Sequence, residues 1–177
     1  MDTYTIQQIL ERCGREKHLK MKDQFEGIDK TLRMIIMEDF GWDNKTCQKI
    51  SEKGEVDLLK YAHENGCHWD HLTCFCASAT GHLECLKYAH ENGCNWNKYT
   101  CSEASSKGHL ELLKYAHENG CNWSKYACSE ASSKGHLECL KYAHENGCPI
   151  DMKACLIIAK GECKEYLESL YNEKLKM

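Results

Sequence analysis

Proline is almost missing from these 177 residues; Pro149 is the only one. Such scarcity favours helices joined by short glycine turns over long loops or sheets. No stretch of 18 apolar residues occurs, which excludes a bilayer-spanning helix. An excess of one charge is missing as well. A net charge of −4 and a pI near 6.2 give no general attraction for phosphate backbones, so nucleic acid is not an expected partner. The opening MDTYTIQQILERCGREKHLK is charged throughout and has no apolar signal-peptide core. Residue 2 is Asp and the tail ends KLKM, so no lipidation motif is present. The expectation is a cytoplasmic chain that is not secreted and does not touch a membrane. Enzyme signatures are also lacking: there is no Gly-x-Ser-x-Gly, Walker loop, Gly-x-Gly-x-x-Gly or His-Glu-x-x-His.

What the chain has in excess is cysteine, 14 in all, and most of it recurs at a fixed spacing. Gly27, Gly54, Gly81, Gly108 and Gly135 are separated by 27 residues each. Trp42, Trp69, Trp96 and Trp123 keep the same step, as do Cys47, Cys74, Cys101, Cys128 and Cys155, and His63, His90, His117 and His144. Segments 95–121 and 122–148 differ only at Asn97/Ser124, Thr100/Ala127 and Leu112/Cys139. Identity at this level makes the chain an internal repeat, and the repeat decides the fold.

Each unit predicts two helices. The residue after each Trp, or after Ile150, is Asp43, Asp70, Asn97, Ser124 or Asp151. All five side chains can accept from the free N–H groups of a helix start. In the unit beginning at Asn97 the first helix runs through KYTCSEASSK to Gly108, a residue that tolerates the left-handed cap conformation. Cys101, Ala104 and Ser105 form a stripe of small side chains suited to close packing. The second helix, HLELLKYAHEN, sets Leu110, Leu113, Ala116 and His117 on one face and Glu111, Lys114 and Glu118 on the other. Asn119-Gly120 is the expected left-handed cap pair. Only Cys121-Asn122 separates it from the next Trp, which leaves no room for a strand pair. Neither helix pair can bury its apolar face alone, so the units must stack as a solenoid.

The boundaries follow as one domain over 1–177. Residues 1–42 form an N-terminal capping unit, with helices expected over 4–14 and within 27–42. Residues 43–69, 70–96, 97–123 and 124–150 form four full units. Residues 151–177 form a C-terminal capping unit, whose charged and divergent sequence is expected to shield the end of the stack.

The run GHLECLKYAHENGC (Gly81–Cys94 and Gly135–Cys148) resembles the second-helix signature of ankyrin repeats, and YTCSEASSKGH sits where that family carries its Thr-Pro-Leu-His helix. It is most similar to the short ankyrin-like repeats of giant DNA viruses of amoebae, over roughly residues 27–150. The resemblance implies an all-α, ankyrin-like solenoid of helix-turn-helix repeats, a protein partner that would be a host-cell protein if the chain is viral, a monomer, no enzyme activity and no cofactor. A unit of 27 residues is about six shorter than the standard one, so the β-hairpin fingers are expected to be shortened or absent. A binding surface must then be lined by the first helices.

The candidate partner-binding residues are therefore Lys98, Tyr99, Glu103 and Lys107 with their copies Lys125, Tyr126, Glu130 and Lys134. A competing reading is zinc or thiol-redox chemistry. His63/Cys67, His90/Cys94, His117/Cys121 and His144/Cys148 share an i, i+4 spacing that can put two ligands at one helix end, with Cys74, Cys101, Cys128 or Cys155 completing a set. Packing is the favoured role for these residues, because free cysteine behaves as a small hydrophobe. Cys85, Cys139 and Cys163 sit at or near one repeat position and could approach across the stack, although reduced thiols are the expectation. His82, His109 and His136 follow the inter-helix glycine and are expected to bond to backbone in the turn. The Trp residues are expected to pack at unit junctions.

Overall fold

The structure, a computed structural model, describes residues 44–64 and 66–176. Calls of a capping unit over 1–42 and of a helix cap at Asp43 lie outside the described residues. Among those described there are ten α-helices and no strand. In chain order they are α1 (Asn44–Lys53), α2 (Val56–Glu64), α3 (His71–Thr80), α4 (Leu83–Glu91), α5 (Lys98–Lys107), α6 (Leu110–Glu118), α7 (Ala127–Lys134), α8 (Leu137–Glu145), α9 (Met152–Ile158) and α10 (Glu162–Lys176).

The starts of the first helices are set by side chains. Oδ1 of Asp70 accepts from the Leu72 N–H at 2.9 Å, and Oδ1 of Asn97 from the Tyr99 N–H at 2.9 Å. Ser124 Oγ accepts from the Tyr126 N–H at 3.2 Å and Asp151 Oδ1 from the Ala154 N–H at 3.1 Å. Each bond satisfies one of the N–H groups a helix start leaves free. First helices end at a left-handed glycine: Gly108 has φ 77°, and His109 N–H closes the turn on the Ala104 carbonyl at 3.0 Å. Second helices end differently from expectation. Asn119 has φ −98° and is not left-handed; Gly120 alone takes the positive φ, 89°. Asn119 instead uses its amide Nδ2–H to cap the Tyr115 carbonyl at 2.8 Å.

The units stack through both helices. α1 packs on α3, α3 on α5, α5 on α7 and α7 on α9, and these first helices meet more closely than the second helices do. The cause is the small-residue stripe: Cys101, Ala104 and Ser105 are fully buried, and small side chains let the helix axes approach. Closer packing on that edge bends a stack toward its first-helix side. The second helices supply the bulk of the core. Leu86, Leu113 and Leu140 are fully buried at one repeat position, each stabilising by about 2 kcal/mol relative to exposure. The buried arc of α6 is Leu112, Leu113 and Ala116, with Leu110 and His117 half-buried. It is therefore rotated from the Leu110-centred face that periodicity suggests.

Two inter-unit contacts recur. The His82 ring lies over Gly54, His109 over Gly81 and His136 over Gly108, so close that a Cβ on any of these glycines would meet the ring at under 3 Å. Each described Trp also stacks on the histidine of its own unit. His63–Trp69, His90–Trp96 and His117–Trp123 have centroids 3.6, 3.5 and 4.3 Å apart, and Tyr88, Tyr115 and Tyr142 of the next unit meet them edge-on. Trp69, Trp96 and Trp123 thus pack at unit junctions, while Trp42 lies outside the described residues. Beyond Asp151 the pattern weakens. α9 ends a turn early, at extended Ala159, and the last unit exposes Ile157, Ile158 and Leu175. The expected polar shield is thus incomplete, because these apolar side chains face outward among the charged ones.

Candidate functional site

The eight candidate residues lie on α5 and α7 or in the turns that open them. Tyr99, Glu103 and Lys107 recur at i, i+4 and i+8, which keeps them on one helical face. That face is the one opposite the buried Cys101–Ala104–Ser105 stripe. Tyr99 and Tyr126 are both 48% exposed, and neighbouring ammonium groups lie near their rings: Lys98 Nζ at 5.5 Å and Lys125 Nζ at 5.0 Å from the centroids. Contacts of this kind orient both side chains at little cost. Glu103 is half-buried and pairs with exposed Lys107 at 3.6 Å. Glu130 accepts from Ser106 Oγ–H at 3.2 Å, which ties α7 to α5 across the unit boundary. Lys134 is exposed at the end of α7.

Two residues on the same surface were not anticipated. Leu72, 39% exposed, holds on α3 the repeat position that Tyr99 and Tyr126 hold after it. Ile157, 84% exposed, holds on α9 the position of Glu103 and Glu130. Four of the exposed large apolar side chains (Leu72, Tyr99, Tyr126 and Ile157) therefore fall on consecutive first helices or, for Tyr126, at the turn that opens one. Lys45 and Lys153, both exposed, occupy the Tyr99 position in the outer units. An apolar, mostly aromatic centre flanked by acids and by lysines at both ends can meet a protein surface. It has no convergent acid, base and nucleophile.

The chain matches no family model and no curated protein. Among solved structures it is similar to the crystal structure of the human ASB11 ankyrin repeat domain. The TM-score is 0.61 at 19% sequence identity, covering 70% of this chain and 68% of that one. The fold is that of an ankyrin repeat domain. Within this ankyrin-like stack the described residues contain no β-hairpin finger, so the first-helix surface stands without the projections that strands would add.

The histidines and cysteines of the stack do not converge as a zinc site would need. His63 turns outward onto Trp69, with Nδ1 3.4 Å from the Tyr88 hydroxyl, whereas Cys67 turns inward to meet the sulfur of Cys47. Later units repeat the division. Among the described residues no group of three or more His, Cys, Asp or Glu is placed to hold a metal ion. The i, i+4 His–Cys pairs send their two side chains to opposite sides. Cys85 and Cys139 are separated by Leu112, which holds their repeat position in the unit between them. A disulfide between those two is therefore blocked.

His109 donates to the backbone carbonyl of Ala79, which lies in the last turn of α3 in the preceding unit and not in the histidine's own turn as expected. Burial nevertheless holds its pKa below the ordinary value, helped by the neighbouring His136, His82 and Lys107 charges. His63 is lowered too, by burial, with Glu64 opposing. Tyr115 is pushed up to about 12 by burial and by Glu91, whose carboxylate accepts from its hydroxyl at 3.3 Å. These shifts belong to packed junctions between units, away from the Tyr99 row.

Proposed function

We propose that this chain is a non-enzymatic scaffold that binds a protein partner through its first-helix surface. What supports the reading above all is the alignment of exposed Leu72, Tyr99 and Tyr126 at one repeat position, with exposed Ile157 a turn further along the next first helix. Isolated exposed apolar residues are ordinary on any surface; a row of them, rich in tyrosine and rimmed by charge, is the composition of binding hot spots. Tyrosine contributes a large contact area and a hydroxyl while losing little side-chain freedom. The general association of ankyrin folds with protein binding agrees with this. The chain acts as a monomer in the cytoplasm and takes up no cofactor. The likeness of its repeats to those of amoebal giant viruses makes a host-cell protein the natural partner.

Two variants of the purified chain test the reading against wild type. In one, Tyr99→Ala and Tyr126→Ala are combined. In the other, Glu111→Ala and Lys114→Ala remove an exposed ion pair on the second-helix side (2.8 Å), a pair of little stabilising value. Proteins retained from cell extract are compared by mass spectrometry. The expected result is a retained protein lost with the tyrosine variant, by at least tenfold, and kept with the second-helix variant. Retention equal in both variants, or lost only in the second, overturns the assignment of the surface.

A further inference from the structure

The repeat places two cysteines twenty residues apart in every full unit: Cys47 and Cys67, Cys74 and Cys94, Cys101 and Cys121, Cys128 and Cys148. One member sits in the first helix, and the other just after the second helix has ended. In the first of these units the two sulfurs meet directly, on a Cα–Cα distance of 6.8 Å. That distance lies within the span a disulfide bridges. In the next three units the paired thiols are hydrogen-bonded to each other. Cys74 Sγ lies 3.8 Å from the Cys94 carbonyl oxygen and Cys101 Sγ 3.7 Å from that of Cys121, while Cys94 Sγ lies 3.1 Å from the Asp70 carbonyl oxygen.

We propose that these four pairs are oxidation sites, each closing to a disulfide within its own unit when the protein meets a peroxide. Each link would tie the first half of a first helix to the connection that follows its second helix, so most of the unit lies inside one covalent loop.

The two sulfurs of a pair have unequal tasks. Cys94, Cys121 and Cys148 retain 2, 2 and 4% exposure, whereas Cys74, Cys101 and Cys128 retain none. The member after the second helix is therefore the one that local opening uncovers first. It also accepts the hydrogen bond from its partner, which lowers its pKa and raises that of the donor. The accepting sulfur attacks one oxygen of hydrogen peroxide as thiolate. The O–O bond breaks, hydroxide leaves and takes up the proton the thiol had lost, and a sulfenic acid remains. The partner sulfur then attacks the sulfenic sulfur: the S–S bond forms, the S–O bond breaks, and the departing hydroxide takes the partner's proton. Two thiols and one peroxide become one disulfide and two waters. The sulfurs lose two electrons and the peroxide gains them.

The other described cysteines supply the contrast. Twenty residues beyond Cys76, Cys85, Cys139 and Cys155 stand Trp96, Ser105, Ala159 and Leu175, so none has a sulfur at the repeated spacing. Cys155 bonds Ser132 instead.

The test begins with fully reduced full-length chain, exposed to hydrogen peroxide at neutral pH. The chain is then unfolded, alkylated and mapped by mass spectrometry. The expected links are 47–67, 74–94, 101–121 and 128–148, with Cys76, Cys85, Cys139, Cys155 and Cys163 still alkylated. Each closed loop of this length should raise Tm, by roughly 5–10 °C. Links between units, such as Cys74–Cys121, would overturn the proposal. So would four pairs that stay reduced while half-exposed Cys76 is oxidised. Cys74→Ser is a second check: Cys94 should remain unlinked and the other three bridges should still form.

Discussion

The inner units between Asp70 and Ile150 and the last unit from Asp151 onward follow the same two-helix plan, yet they are held together differently. In the inner units a left-handed glycine ends each first helix, and where another full unit follows, its histidine lies over that glycine. His109 covers Gly81 and His136 covers Gly108. Gly135 has the same backbone angle, φ 82°, but nothing lies within 4 Å of where its Cβ would be. Twenty-seven residues after His136 stands Cys163, too small to reach across. The junction with the last unit also carries Ile150 in place of the Trp, so His144 has no indole to stack on and keeps only its contact with the Tyr166 hydroxyl, at 3.1 Å. The contrast separates two effects of a repeat glycine: the conformation it permits, and the neighbour it admits.

The sharpest way to break this comparison is to put the same side chain at both glycines. Valine at either position suffers the left-handed backbone, a cost of about 1–2 kcal/mol. Gly108→Val must also displace the His136 ring, whose Nδ1 would lie 2.6 Å from the new Cβ, and overpacking of that kind adds about 1–3 kcal/mol. Gly108→Val is therefore expected to destabilise by about 3 kcal/mol and Gly135→Val by about 1.5 kcal/mol. Urea titrations of the two variants measure the difference. Equal losses would mean that the histidine contact contributes nothing beyond the turn.

A smaller effect, conditional on pH, follows from the same histidines. Burial and the charges of His136, His82 and Lys107 lower the His109 pKa in the folded chain; unfolded, it returns to about 6.5. Between those values the unfolded state binds a proton that the folded state does not, so stability rises with pH in that window. The contribution is complete above about pH 6.5 and is lost as pH falls through the folded value. His63, also lowered, acts in the same direction. No histidine lies beyond His144, so this acid sensitivity belongs to the repeated units. Tm recorded from pH 7.5 to pH 5 should fall, and His109→Gln should flatten the slope. An unchanged slope in the variant would remove His109 from the account.

Which of these features could be read in the sequence depends on how far apart the partners are. Asp70, Asn97, Ser124 and Asp151 were legible as caps because each bonds an N–H two or three residues away. The glycine turns were legible for the same reason. Asn119 misled, since one left-handed residue completes the turn and Gly120 supplies it. The buried arc of α6 was displaced because that helix is covered by its own first helix and by second helices on both sides; Leu112 points into that junction and Leu110 does not. Pairing of Cys74 with Cys94 escaped notice because the spacing that attracted attention, His-x3-Cys, is local, while the partner lies twenty residues away. On the candidate surface the tyrosines were visible as copies of each other. Leu72 and Ile157 were not, because they match the tyrosine and glutamate positions in place and not in identity.

The finest comparison lies between segments 95–121 and 122–148, where the chain carries its own substitutions. Thr100 is fully buried and its hydroxyl has no hydrogen-bond partner. A buried unsatisfied group of that sort costs about 1–3 kcal/mol. The following unit holds Ala127 at the same place, also fully buried, and its first helix packs on both neighbours all the same. The position therefore needs no hydroxyl. Thr100→Val keeps the volume and the branch while removing only the polar atom, so no cavity confuses the outcome. It should stabilise by about 1 kcal/mol, the low end of that desolvation range, read as a rise in the urea midpoint at constant slope. Destabilisation of similar size would instead mean that the hydroxyl is satisfied in solution, and that the unit beginning at Asn97 differs from its neighbour by a hydrogen bond as well as by a methyl group.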